Sequence, residues 1–378
     1  MTTNQGAVPL EVAGRLDRLR DRFETCGVDA LIVTNLANVR YLSGFSGSAG
    51  VVVVTGKGAL LTTDGRYRTQ SAEQVASAGV AEQLDIAIGN GEGQRAAVRA
   101  ALEAASPGRV GLEAEDVSWA ASKRWRELFD EPTSAVAVSG AVEALREVKD
   151  AGELYRMARA AAIADGALTE VLPLLAEAGT GAVTEAGFAL ALDTAMRRGG
   201  AEDRAFDTIV AVGPNSAKPH HQPTDTPLSP GQPVVVDFGA TYDGYRSDMT
   251  RTFWLGGEPT GELARVFAVV ADSQAKGVAA VRAGVAAKDV DTVCREVIAE
   301  AGWAERFEHG TGHGVGLDIH EAPTVSQQGT AILAAGTVVT VEPGVYLPGL
   351  GGVRIEDTLV VTEDGSRTLT AFTKDVAA

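Results

Sequence analysis

From its N-terminus to about residue 140 the chain alternates two hydrophobic periods. Apolar residues three and four apart predict an amphipathic helix over 12–25, and the unbroken run Ala30-Leu31-Ile32-Val33 predicts a buried strand after it. Further strands are expected over 50–55 and 59–63, then a helix over 66–78. Short apolar runs near Ile86 and Val110 alternate with helical patterns over 94–105 and 117–129. Strands interleaved with helices predict an α/β layer with a largely covered sheet.

The pattern changes near Ser139-Gly140, which sets the expected domains at 1–140 and 141–378. Asp150 and Glu153 have capping-box spacing, and the helix they open is expected to reach about residue 179. A second helix follows over 183–198. Strands are predicted at 208–212 and 233–238, long helices at 261–282 and 287–301, and a β-rich end at 337–341, 353–361 and 366–371. This half reads as α+β, with strands presenting side chains and helices covering one face.

Composition excludes more than it assigns. With 45% hydrophobic and 22% charged residues over 378 positions, the chain is ordinary for a globular enzyme of two domains. A formal net charge of −17 would repel a phosphate backbone, so no nucleic acid is expected as a partner. No apolar run reaches the roughly 18 residues of a membrane span. The first residues lack a basic start followed by an apolar stretch, so the expected location is cytoplasmic. Cys26 and Cys294 stand alone, which excludes a zinc ribbon and a disulfide framework.

The chemistry sits in the second half. Asp237, Asp248, His313, Glu342 and Glu356 occur in the contexts VVVDFG, YRSDMTR, GTGHGVG, VEPG and RIEDT. Four carboxylates and one imidazole can hold two divalent cations, and they favour Mn²⁺ or Co²⁺ over a thiolate zinc site. Asp237 and Asp248 flank a hairpin signal with its turn around Tyr242-Asp243-Gly244. Whether they face each other directly or diagonally, they share one face of the sheet, roughly 5–8 Å apart. Either aspartate alone could be an ordinary solvent-facing residue. All five histidines, His220, His221, His309, His313 and His320, fall between 220 and 320.

Several matches fail on context. Asp237-Phe238-Gly239 lacks a kinase catalytic loop. His309 and His313 have zincin spacing, but the glycine-rich run is expected to be extended or looped, and the intervening glutamate is missing. The alternate glycines from Gly310 to Gly316 lack a dinucleotide loop's strand–turn–helix setting; they are expected to let backbone approach metals or substrate. Glu342 precedes Pro343, which biases it to extended backbone. Arg354 and Glu356 are expected on one face of a strand, where the plain alternative is a surface salt bridge.

Together these motifs resemble the pita-bread metallopeptidases, the family of methionine aminopeptidase, aminopeptidase P and prolidase. The resemblance covers about 142 to the C-terminus, and YLSGFSGSAG and LLTTDGRYRTQ are similar to the N-terminal domain of the proline-specific branch. It implies an α/β creatinase-like N-terminal domain followed by an α+β pita-bread (creatinase/aminopeptidase) catalytic domain. It further implies metal ligation by Asp237, Asp248, His313, Glu342 and Glu356, with Asp248 and Glu356 bridging two cations, most often Mn²⁺, with Co²⁺ or Zn²⁺ as alternatives. His220, His309 and His320 would surround the scissile bond, Arg354 would support a bridging carboxylate or the substrate, and Glu342 would shuttle a proton. The implied reaction is attack by a metal-bridging hydroxide on the bond before proline, in dipeptides (prolidase) or longer peptides (aminopeptidase P). A homodimer is implied too, with Tyr41, Arg66 and Tyr67 as contact candidates. Creatinase-like C–N hydrolysis and a catalytically silent binding protein are the alternatives; intact ligands count against both.

Overall fold

The computed structural model describes residues 8–374 except 131, 178, 180 and 181, and the chain divides into two units, Met1–Arg146 and Glu147–Ala378. In the first unit β1 (Ala30–Val33), β2 (Val51–Thr55), β3 (Ala59–Thr63), β4 (Asp85–Ile88), β5 (Arg109–Glu113) and β6 (Ser134–Val138) form one sheet, in the order β4-β3-β2-β1-β5-β6. β1 runs antiparallel to β2 and parallel to β5, and all four of its residues are buried. Cover on both faces is why its sequence reads as a continuous apolar run.

The helix predicted over 12–25 is two pieces, Arg15–Asp21 and Phe23–Cys26. A helix that periodicity missed, Leu36–Ser43, starts where Asn35 Oδ1 accepts from the backbone N–H groups of Ala37 and Asn38, at 2.9 and 3.2 Å. Its cap was visible, but eight residues are too few for a clear helical period. Tyr41, offered above as an intersubunit contact, is 2% exposed; its hydroxyl donates to Leu145 O and Arg15 lies over its ring, so it belongs to the core of this unit.

In the second unit the capping box forms as read: Asp150 Oδ1 accepts from Glu153 N and Glu153 Oε2 accepts from Asp150 N, both at 2.9 Å. The helix Ala151–Val171 then tightens into the 3₁₀ segment Leu172–Glu177, where Pro173 cannot continue the α ladder. With the helix Glu185–Arg198 it packs on one apolar core, and the helices Gly261–Ala280 and Ala287–Glu300 pack on another. No helix among the described residues is long and apolar enough to cross a membrane.

The strands of this unit are β7 (Asp203–Arg204), β8 (Ile209–Val212), β9 (Pro233–Phe238), β10 (Ala240–Tyr242), β11 (Tyr245–Arg246), β12 (Met249–Trp254), β13 (Gly312–Gly314), β14 (Glu321–Val325), β15 (Val338–Val341), β16 (Gly344–Leu347), β17 (Gly351–Arg354), β18 (Asp357–Val361) and β19 (Ser366–Thr368). They make sheets β12-β9-β8 and β14-β13-β15-β18-β19, with smaller ones β11-β10-β7 and β16-β17. The single strand predicted over 353–361 is therefore two strands in different sheets. Ile355 and Glu356 occupy the break, and Glu356 N donates to Thr250 O of β12 at 3.1 Å.

Candidate metal centre

The turn that sets the first two carboxylates is Asp243-Gly244, with φ of 44° and 74°, the left-handed pair a two-residue hairpin loop needs. Tyr242 pairs with Tyr245 across it, and the same register carries on to Asp237 opposite Thr250. Asp248 is two residues before Thr250, so the aspartates are diagonal neighbours on one face. Gly312 and Gly314 flank His313 where neighbouring backbone leaves no room for a side chain. A Cβ on Gly312 would meet Thr340 O at 2.0 Å, and one on Gly314 would meet Ala322 O at 2.2 Å. These glycines let β13 sit tightly between its neighbours, and His313 is thereby held at a fixed depth.

Two threonine hydroxyls knit the carboxylates to the scaffold. Thr340 Oγ1 accepts from His313 N at 3.0 Å and donates to Glu342 Oε1 at 3.2 Å. Thr250 Oγ1 donates to Glu356 Oε2 at 2.7 Å and accepts from Arg354 Nε at 3.1 Å. Gly314 O can only accept, so His313 Nδ1 at 2.9 Å carries the proton and Nε2 keeps its lone pair. That Nε2 lies 3.4 Å from Glu342 Oε1 and 3.6 Å from Asp248 Oδ2. Asp248, His313 and Glu356 each bring one ligand atom to within 4.8 Å of the others.

Arg354 and Glu356 are 3% and 2% exposed, which removes the surface salt-bridge reading. The guanidinium donates to Asp237 Oδ2 at 2.7 Å and to Tyr346 Oη at 2.9 Å. Tyr346 in turn meets His309 Nε2 at 2.8 Å. Because His309 Nδ1 donates to Gly310 O, the tyrosine hydroxyl is the donor to Nε2. Burial, with Arg354 nearby, pushes His309 down to about 4, so the ring is neutral and both its nitrogens are engaged. Sequence reasoning missed Tyr346; its only signal was alternation two residues after Gly344 in β16.

His220 and His320 stand exposed on the wall of the same cavity, which has a volume of about 600 Å³, and the His320 and His313 rings meet edge to face at 4.4 Å. His221 turns away and pairs with the buried Glu185 at 2.9 Å.

Electrostatically the cluster is incomplete as a set of side chains. Burial, then the neighbouring carboxylates, pushes Asp248 and Glu356 far above the usual carboxylate range. Burial drives Glu342 up to about 8 despite the pull of Arg354. Asp237 Oδ1 is buried with no hydrogen-bond partner among the described residues. Buried carboxylates crowded like this require protons or cations between them. The orphaned oxygen, the oxygen-rich donor set and the imidazole lone pair fit divalent metal.

Residues 155–363 match the model of metallopeptidase family M24, and residues 15–148 match the creatinase/prolidase N-terminal domain. The chain belongs to family M24. As an M24 metallopeptidase it is a hydrolase acting on peptides, its catalytic unit has the pita-bread fold, and the family implies divalent metal ions. An uncharacterized peptidase of Bacillus subtilis is 38% identical over 96% of this chain and 99% of its own. A solved Xaa-Pro dipeptidase from Bacillus anthracis superposes with a TM-score of 0.91 at 35% identity, covering 97% of this chain and 100% of that one. An X-Pro aminopeptidase from Thermotoga maritima superposes with a TM-score of 0.83 at 33% identity, covering 94% and 99%.

Proposed function

We propose that this M24 metallopeptidase hydrolyses the bond between an N-terminal residue and a following proline, preferring dipeptides to longer peptides. Asp237, Asp248, His313, Glu342 and Glu356 would hold two divalent cations, Mn²⁺ before Co²⁺ or Zn²⁺. The observation that carries the reading is one cavity lined by Asp237, Asp248, Glu342 and Glu356, in which the lone pair of His313 Nε2 lies 3.6 Å from Asp248 and 3.4 Å from Glu342. Full-length likeness to proteins named as Xaa-Pro dipeptidase and X-Pro aminopeptidase supports the choice of bond. A donor set of oxygens and one imidazole, without thiolate, suits manganese.

When bound, such a pair of cations supplies a water of lowered pKa, from 15.7 towards about 7, and a polarised scissile carbonyl. The chain's own residues account for the rest. Asp237 is oriented through Oδ2 by Arg354 and offers Oδ1; Glu356 is oriented through Oε2 by Thr250 and offers Oε1. Glu342 is placed to carry the proton, because its carboxylate lines the cavity and is oriented through Oε1 by the Thr340 hydroxyl. It accepts a proton as water oxygen adds to the carbonyl carbon and returns it to the proline nitrogen as the C–N bond breaks. His220 and His320 face the cavity where that carbonyl would lie, while His309 holds Tyr346 in place. A homodimer is part of the same proposal and rests on family resemblance alone.

The test is to strip the protein with chelator, restore Mn²⁺, and compare hydrolysis of Ala-Pro, Ala-Pro-Ala and Ala-Ala. Preference for Ala-Pro supports the dipeptidase and preference for Ala-Pro-Ala the aminopeptidase. Cleavage of Ala-Ala alone, or of nothing, would overturn the proline assignment.

A further inference from the structure

The N-terminal unit has a cavity of its own, about 360 Å³, at the carboxyl ends of β1, β3 and β5. That is the end of an α/β sheet where crevices collect ligands, and the volume suits a small molecule. One face of the sheet forms its floor. Thr62 pairs with Val51 across β2 and β3, and Leu60 with Val53. Val51, Val53 and Leu60 pack in the cluster that contains Val98 of the helix Gly91–Ala105, so Thr62 points to that same face. Thr62 is wholly buried and its Oγ1 has no hydrogen-bond partner, although it lines the cavity. A buried hydroxyl without a partner is costly, and a bound polar group would satisfy it.

The remaining walls specify the ligand's chemistry. Val98 and the Trp125 ring supply apolar surface. Arg95 and Arg124 line the cavity, and neither guanidinium has a hydrogen-bond or ion-pair partner among the described residues. Asp116 lines it too; its Oδ2 accepts from Thr34 Oγ1 at 2.5 Å, and it has no cation partner among the described residues. Two guanidiniums match a carboxylate, the aspartate matches an ammonium, and the valine and tryptophan match an apolar side chain. We propose that this cavity binds a small zwitterion with an apolar side chain, a free amino acid or a short peptide, separately from the metal centre. The carboxylate would lie on Arg95 and Arg124, the ammonium on Asp116, and the Thr62 hydroxyl would donate to a ligand oxygen.

The full-length metal-loaded protein is titrated with L-leucine and L-phenylalanine by calorimetry, with phenethylamine as the probe lacking a carboxylate. The expected result is saturable binding of at least one amino acid and none of phenethylamine. Arg95→Gln/Arg124→Gln is expected to weaken that binding at least tenfold and Thr62→Val by a smaller factor, with peptidase activity unchanged in the arginine variant. Both arginines are exposed, so that variant remains informative if Thr62→Val fails to fold. Absence of saturable binding of either amino acid would overturn the proposal. So would binding that persists unchanged in the arginine variant, because the ligand would then occupy the metal centre instead.

Discussion

Arg354 donates to Asp237 Oδ2 at 2.7 Å, and Asp237 Oδ1, on the other side of the same carboxylate, is buried without a partner. One oxygen of the pair is spent on orientation and the other is left for a cation. Arg354 does this from a buried position, because the same guanidinium also reaches Thr250 and Tyr346 and so ties two carboxylates to one planar group.

Arg354→Lys keeps the charge and loses the fork. Loss of such outer-shell support typically lowers metal affinity or activity by about 10- to 100-fold, and a loss of that size in kcat/KM is expected here. Steady-state kinetics at saturating Mn²⁺, with metal content measured alongside, checks it; an unchanged kcat/KM would remove Arg354 from the site's machinery.

Tyr346→Phe deletes the hydroxyl that accepts from Arg354 and donates to His309. A buried polar partner left unmet costs about 1–3 kcal/mol, which corresponds to a fall in kcat of about 5- to 160-fold if it is felt in the reaction. The fold should survive, since the ring still fills its place. Paired thermal melts and kinetics distinguish a positioning role, in which kcat falls, from a packing role, in which only the melting temperature moves.

Metal removal should make stability depend on pH. In the metal-free chain burial pushes the Glu342 carboxyl up to about 8, and burial raises Asp248 and Glu356 as well. A carboxyl raised on folding contributes stability that is fully present below its unfolded pKa and lost as pH climbs through the folded value. Melting temperatures of chelated protein are therefore expected to fall from pH 5 towards pH 8 and beyond, while those of the metal-loaded protein stay comparatively flat. Parallel curves for the two forms would contradict the cluster's account.

Cys294 is buried and its thiol is pushed up to about 12 by that burial, whereas Cys26 is partly exposed. A colorimetric thiol reagent at pH 8 should titrate one thiol in the native protein and both of the chain's two cysteines after unfolding.

Glu185 is buried and its carboxylate serves Val212 N at 2.8 Å, His221 Nε2 at 2.9 Å and Thr224 N at 3.0 Å. Removing one partner of such a network strands the others, so Glu185→Ala is expected to cost about 3–5 kcal/mol. Chemical denaturation checks the figure, and a loss below 1 kcal/mol would show that water replaces the carboxylate freely.

The candidate site was more legible than the fold. Asp237, Asp248, His313, Glu342 and Glu356 were read from local contexts, and the structure brings all five into one cavity, because hairpin parity and short strands carry side-chain direction over short spans. Helices with long periods, such as Gly261–Ala280 and Ala287–Glu300, were legible within about two residues. The short helix Leu36–Ser43 and the strands β14 and β16 were not, since four to eight residues with glycine and proline among them hold too little period to count.

By itself the sequence singled out five residues of a type that can ligate metal, put the aspartate pair on one face of a hairpin, and placed the helix cap at Asp150, all of which depend on neighbours along the chain. Only the tertiary structure decided that the run 353–361 breaks at Ile355-Glu356, that Arg354 faces Asp237, and that Tyr346 closes on His309. Those contacts join residues from 8 to 117 positions apart, and sheet pairing rather than local propensity brings them together. The same holds for the glycines around His313: the sequence shows that a side chain is missing at each, and only the packed sheet shows which backbone oxygen occupies the space.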